Sequence, residues 1–382
     1  MTLQPALFQP LPLAAITLKN RIVVSPMCQY SAKGGVPNDW HLVHLGRFAL
    51  GGAGLVFVEA TAVEAEGRIS YADTGLYNDE QELAFARIVR FIKSQGAAVG
   101  IQLAHAGRKA STRPPWLGGG PVPNDDATAG SERWLPVAPS AVPFADGYPI
   151  PHELTLADIA RIKQAFVRAA ERALRADFDV VEVHTAHGYL LTQFLSPISN
   201  RRSDQYGGDL AGRMRLPLEV VEAVRAVWPA QRPLFVRISS VDGTPGGWSL
   251  ADSVVYAREL AARGVDVIDC SAGGVTPSVA TLPDTQKPGY QAPFAEHIKR
   301  EANVRTMAVG RIATTELANS IIENASADLV ALGRALLDDP NWALHAREQL
   351  LPEAIGDAAY PRQVGYAIKA LKRPPTASGA KR

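Results

Sequence analysis

The sequence is short of cysteine: its 382 residues contain two, Cys28 and Cys270, and neither belongs to a Cys-x-x-Cys pair. That excludes a disulfide framework and a cysteine-based zinc or thioredoxin-type site, and it points to a reducing, cytoplasmic setting. An excess of either charge is missing too, since 39 Lys+Arg stand against 38 Asp+Glu. Such balance argues against a broad basic surface for nucleic acid and against an acidic solvating tail. No stretch approaches the roughly 18 consecutive apolar residues of a membrane span. The start, Met1-Thr2-Leu3-Gln4-Pro5, has neither the basic end nor the apolar run of a signal peptide. A dinucleotide fingerprint is also absent: no strand candidate runs into Gly-x-Gly-x-x-Gly, and Gly118-Gly119-Gly120 lies among prolines as a loop. These absences leave a globular protein that is neither exported nor embedded in a membrane.

What the sequence does contain is alternation. Short apolar runs at 21–26, 54–61, 98–104, 180–184, 234–239, 265–271, 306–310 and 328–333 are separated by segments of helical spacing. Each run is nearly continuously apolar, as expected of strands covered on both faces. The clearest helix spans 156–176, where Ile159, Ile162, Phe166, Ala169 and Ala173 form one stripe and Thr155 with Asp158 forms a capping pair. Another begins at Ser249, with Asp252 in its first turn, and stops at Gly264. Eight βα units predict an α/β fold, a single (β/α)8 TIM barrel over 1–382, in preference to an open doubly wound sheet. The proline-broken start predicts an N-terminal cap at the barrel bottom. The Pro- and Gly-rich stretch of about 106–151 predicts a long lid loop after strand three, and about 374–382 a flexible tail.

Barrel chemistry lies at the C-terminal ends of the strands. Strand one runs into Ser25-Pro26-Met27-Cys28-Gln29-Tyr30 and strand two into Glu59-Ala60-Thr61; strand three carries Gln102 and His105. Strand four delivers His184, His187 and Tyr189, strand five Arg237, strand seven Gly310-Arg311 and strand eight Gly333-Arg334. Each has an ordinary reading alone, a hydrogen-bonded histidine or a turn with a surface charge; their convergence on one face favours a site. Arg237, inside Leu234-Phe235-Val236-Arg237-Ile238, must meet an anion or several acceptors, and a bound electron-rich ligand is preferred to a structural acidic partner. Gly310 and Gly333 leave backbone N–H groups open beside Arg311 and Arg334, which predicts a phosphate. His184-x-x-His187 could hold a metal, but no obvious carboxylate or cysteine completes the set, and no metal is the preferred expectation. Two neutral imidazoles can instead donate to one carbonyl or nitro oxygen while a nearby tyrosine gives a proton.

Five segments carry a family resemblance: Pro26-Met27-Cys28-Gln29-Tyr30, Gln102-Leu103-Ala104-His105-Ala106-Gly107-Arg108-Lys109, His184-Thr185-Ala186-His187-Gly188-Tyr189-Leu190-Leu191, Phe194-Leu195-Ser196-Pro197, and Asn200-Arg201-Arg202-Ser203-Asp204-Gln205-Tyr206-Gly207-Gly208. They resemble the Old Yellow Enzyme family of FMN-dependent ene-reductases over roughly Leu7 to Leu344. Cys28 after Pro-Met, with Tyr30, is similar to the bacterial thermophilic-like subgroup that includes the xenobiotic reductases.

The resemblance implies non-covalent FMN across the barrel mouth, with Ser25, Pro26, Met27, Cys28 and Ala60 against the ring and Gln102 on its pyrimidine edge. It implies that Arg237 faces the N1/C2 region, that Gly310, Arg311, Gly333 and Arg334 receive the phosphate, and that Cys28 tunes the flavin. NADPH or NADH would deliver hydride, and a small activated alkene would take it in a ping-pong cycle. His184 and His187 would hold the activating oxygen, Tyr189 would protonate Cα, and Tyr30 would position the substrate. The tail reads Pro361-Arg362-Gln363-Val364-Gly365-Tyr366, with Tyr366 where the subgroup has an arginine that can reach a neighbour's site. That role is therefore not carried over, and a homo-oligomer stays open. The alternatives are a metal-dependent hydrolase on the two histidines and a flavin-dependent reductase of an RNA base, the latter disfavoured by the +1 charge. A dienoyl-CoA reductase with an iron–sulfur cluster is disfavoured by two cysteines.

Overall fold

The computed structural model describes residues 4–123, 133–278, 280–352 and 360–372. Eight parallel strands close into a barrel: β1 (Ile22–Val24), β2 (Leu55–Ala62), β3 (Ala98–Ala104), β4 (Val180–Thr185), β5 (Leu234–Ser239), β6 (Val267–Ser271), β7 (Arg305–Ala308) and β8 (Leu329–Leu332). All eight coincide with the expected apolar runs. Between them run α1 (Asp39–Leu50), α2 (Asp79–Ser94), α3 (Leu156–Arg175), α4 (Leu210–Val227), α5 (Leu250–Ala262), α6 (Ala292–Ala302) and α7 (Thr315–Glu323), and α8 (Trp342–Leu350) follows β8. Their starts are chemically marked. Asn38, Asn78, Thr155 and Ser249 each accept a backbone N–H of the first turn in a reciprocal capping box, a device worth about 1 kcal/mol per cap. The buried face of α3 contains Ile159, Ile162, Phe166, Ala169 and Ala173, the stripe expected from spacing.

The hairpin of Leu11–Leu13 and Ile16–Leu18 plugs the barrel from below, as the N-terminal cap should. Leu11, Leu13 and Leu18 pack on Val23, Leu55, Phe57, Val180, Phe235, Val267, Met307 and Leu329. Strand side chains alternate between faces, so i and i+2 point the same way. Above this apolar floor the next inward positions are therefore Glu182 and His184 on β4, Arg237 on β5 and Asp269 on β6, in register across the strands. The sealed bottom leaves the upper, C-terminal mouth as the place for a ligand.

Part of the expected lid departs from an irregular loop. It holds short 3-10 turns at Gly107–Lys109 and Pro115–Leu117, and Val137–Ala138 pairs in parallel with His152–Glu153. Residues 124–132 of that loop and the expected tail at 374–382 lie outside the described residues. A helix not foreseen in the sequence runs over Arg362–Lys372, with Tyr366 exposed on it. Among the described residues no helix is long and apolar enough to cross a membrane.

Candidate active site

Ser25, Gln102, Glu182, His184, Arg237 and Asp269 are buried, whereas Pro26 to Tyr30, Lys109, His187 and Tyr189, one step higher, are partly open. This boundary defines the mouth. After β4 the chain turns sharply through His187 (φ 60°) and Gly188 (φ 71°), both left-handed. Any side chain at Gly188 would sit 2.0 Å from the Gly274 carbonyl oxygen, so the turn requires glycine. The left-handed backbone of His187, a cost of about 1–3 kcal/mol, is held from three sides. Its N–H donates to Ser239 Oγ at 2.8 Å, its carbonyl accepts Lys109 Nζ at 2.9 Å, and its Nε2 lies 2.7 Å from Ser271 Oγ.

The turn brings the expected cluster together. The His184 and His187 rings meet edge to face at 5.1 Å, and Tyr189 meets His184 at 5.2 Å. The Ala186 N–H donates to His184 Nδ1 at 3.2 Å, which leaves the proton of a neutral ring on Nε2. Burial, then the charge of Arg237, pushes both imidazoles well below the usual histidine range, with Lys109 adding to the effect. They are therefore neutral donors at pH 7. Burial raises the Tyr189 phenol well above its ordinary value, with Cys28 and Tyr30 contributing, so it keeps its proton. Lys109, brought down to about 8 by burial and then Arg108, donates to the Gly274 carbonyl at 3.1 Å. Its ammonium lies 5.0 Å from the Tyr189 ring centre and 4.6 Å from that of Phe144.

The depressed imidazoles carry a pH signature. Below about pH 6.5 the unfolded chain protonates both histidines while the native site does not, so their contribution is full above that pH and is lost on acidification. The stability difference between the parent and a His184→Gln/His187→Gln variant is expected to change against the parent by up to about 1.4 kcal/mol per imidazole per pH unit. Urea unfolding of both proteins at pH 7 and pH 5.5 checks this.

Arg237 corrects one expectation. Its Nε lies 3.0 Å from Asp269 Oδ2, so an acidic partner does exist inside the fold, and a terminal nitrogen donates to Ser25 Oγ at 3.3 Å. Beside it Gln102 Nε2 donates to Glu182 Oε1 at 2.8 Å. At the other rim the Cys28 thiol is raised well above its usual range by burial, then by Asp73 and Glu59, and stays protonated. Glu59 is itself fixed by the Gln29 N–H at 2.6 Å and His41 Nε2 at 3.0 Å. The Tyr30 backbone is left-handed (φ 50°), and its ring meets Trp116 of the loop after β3 edge to face at 5.7 Å. Ala60 sits at a register shift in β2, opposite Gln102.

Beyond Met27 and Ser271 a cavity of about 570 Å3 opens at the ends of β7 and β8, walled by Gln291, Gly310, Arg311, Gly333 and Arg334. A side chain at Gly310 (φ 112°) would press on Gln291 at 3.1 Å. Arg311 donates to Gln286 Oε1 at 2.6 Å, while Arg334 has no polar partner among the described residues. An uncommitted guanidinium beside bare backbone fits a phosphate, and the cavity shares Ser271 with the histidine cluster. The donor set thus fits FMN along its length. Potential metal-ligand groups among the described residues are Cys28, Glu59 and Asp73, and Glu64, Glu66 and His105. Neither includes His184 or His187, and Glu64 is already taken by His105 and Arg161. Lys109, Ser239, Ser271, Glu182 and Asp269 are site residues that the sequence reading gave no role.

Comparison with known proteins agrees with this fold. Residues 6–353 match the profile of the NADH:flavin oxidoreductase / NADH oxidase family. The chain is 45% identical over 346 residues to the NADPH dehydrogenase of Geobacillus thermodenitrificans, covering 90% of this chain and 94% of that one. Morphinone reductase superposes with a TM-score of 0.75 at 28% identity, over 91% of this chain and 90% of that chain. The Old Yellow Enzyme homologue of Zymomonas mobilis does so with 0.73 at 26% identity, over 90% and 93%. With a barrel mouth so equipped and a match across most of its length, the chain belongs to the NADH:flavin oxidoreductase / NADH oxidase family, the Old Yellow Enzyme family of oxidoreductases that use FMN and NAD(P)H.

Proposed function

We propose that the protein is a cytoplasmic ene-reductase that reduces the C=C bond of a small α,β-unsaturated carbonyl or nitro compound in a ping-pong cycle. FMN, when bound, would supply the hydride relay between NADPH or NADH and the alkene β-carbon. Ser25, Pro26, Met27, Cys28 and Ala60 would flank the ring, Gln102 and Arg237 its pyrimidine edge, and Gly310, Arg311, Gly333 and Arg334 the phosphate. Cys28, held as a thiol, would bear on the flavin's potential.

His184 and His187 hold the substrate's activating oxygen by donating to it, which makes Cβ electrophilic and stabilises the charge that develops on oxygen. Tyr189 gives its proton to Cα, and Tyr30 positions the substrate. Lys109 fixes the His187 carbonyl and the Tyr189 ring, so the donors are oriented before substrate arrives. The observation that carries this reading is the edge-to-face pair of imidazoles with the Tyr189 ring packed beside them, whose surroundings favour neutral rings and a protonated phenol. The test is the absorption spectrum of the purified protein. A flavin band that bleaches anaerobically with NADPH and returns on adding 2-cyclohexenone is expected. Protein that takes up no FMN, or turnover that a chelator abolishes, overturns the reading.

A further inference from the structure

Two buried carboxyls beneath the mouth have no part in the reaction as described. Glu182 and Asp269 point into the barrel from β4 and β6, wholly screened from solvent, and Arg237 on the strand between them is the cation that answers both. Asp269 faces Arg237 Nε at 3.0 Å, out of line for a hydrogen bond, and neither of its oxygens has a donor among the described residues. Glu182 accepts from Gln102 through Oε1 and leaves Oε2 without a partner. The inward positions of the other strands, Ser25, Ala60, Met307 and Ala331, bring no charge. His184, two residues above Glu182, is neutral, and Lys109 acts beyond the histidines.

The charge count then decides the protonation. Two carboxylates against one guanidinium would leave a net negative charge in a closed barrel, which the low-dielectric interior resists. One proton on either carboxyl restores neutrality. Burial and then the charge of Asp269 raise Glu182 to about 8, and burial raises Asp269 to about 6, with Arg237 opposing both. The pair thus stands near the point where a further negative charge at Arg237 would bring in a second proton.

We propose that Glu182 and Asp269 form a proton-accepting pair that holds one proton beside oxidised flavin and takes up a second when the flavin is reduced. The inference rests on the FMN reading above, in which Arg237 faces the ring. Hydride transfer from NADPH breaks the nicotinamide C–H bond, forms the flavin N5–H bond, moves two electrons and consumes no solvent proton. The ring would then carry one negative charge, which would compete with Asp269 for Arg237. One proton from water on the pair compensates it, so the net products are NADP+, anionic reduced flavin and a fully protonated pair. Glu182 and Asp269 act through Arg237 and are positioning residues.

The experiment is a proton count. Holoenzyme in weakly buffered solution at pH 7 with phenol red is reduced anaerobically by stoichiometric NADPH, and flavin bleaching is followed together with the dye. The parent is expected to take up more than half a proton per flavin, and Glu182→Gln/Asp269→Asn to bleach with no dye change. Parent bleaching without uptake overturns the inference alone, as does equal uptake by the double variant, which assigns the proton to the flavin. No bleaching at all overturns the FMN reading and this inference with it. Should the double variant fail to fold, the reduced-minus-oxidised infrared spectrum of the parent decides. A new carboxylic C=O band that shifts in D2O supports the pair, and its absence overturns it.

Discussion

Tyr189→Phe is expected to slow the alkene half-reaction by about 10²–10⁴-fold, the range for loss of a positioned general acid, while hydride uptake from NADPH stays close to the parent rate. The substitution is clean because the ring does the structural work. Phe preserves the edge contact with His184 at 5.2 Å and the Lys109 ammonium at 5.0 Å, and it removes one hydroxyl. That hydroxyl holds its proton firmly in the free site, since burial and nearby Cys28 and Tyr30 raise the phenol. A donor so protected is always charged with its proton, and it can release it when basic character develops at Cα. Anaerobic stopped-flow separates the two half-reactions, with bleaching by NADPH in one syringe pairing and reoxidation by enone in the other. Equal reoxidation rates in variant and parent would remove Tyr189 as the proton donor.

The barrel was legible because its strands are buried on both faces and read as continuous apolar runs; β2, with eight buried residues from Leu55 to Ala62, is the clearest. The mouth was legible through the rule that strand ends face it, which gathered Gln102, His184 and Arg237 without any knowledge of contacts. Partners across strands were not. Arg237 meets Asp269 because β5 and β6 pair in that register, and nothing in the Val267-Ile268-Asp269-Cys270 text says which residue 32 positions away it opposes. Alternation alone would have put Glu182 inward two residues before His184, a signal present in Val181-Glu182-Val183-His184. The serines at 239 and 271 hold His187 through single hydrogen bonds, which leave no periodic trace. The same holds for the loop after β3, whose two- and three-residue elements are too short for any period to register.

Removing the imidazoles tests the other half of the chemistry. His184→Ala and His187→Ala are each expected to lower the rate of enone reduction by about 10²–10³-fold, the loss typical of one donor to a developing oxyanion. The double variant should lose less than the product of the two, because both rings serve one oxygen and the first loss already weakens the second. A general collapse of the site would give similar numbers, so the discriminating readout is the substrate. An enolate concentrates charge on its oxygen, whereas the charge from a nitroalkene spreads over two oxygens and needs less help. The loss should therefore be several-fold larger for 2-cyclohexenone than for a nitroalkene of similar size. Equal losses for both would mean that the rings only shape the pocket. His187→Ala carries an extra burden, since alanine must hold the left-handed backbone at φ 60° without the Ser271 bond. Thermal melts alongside the kinetics separate that strain from the chemistry: a drop in Tm unique to position 187, with matched rate losses at 184 and 187, is the pattern of two equivalent donors on unequal backbones.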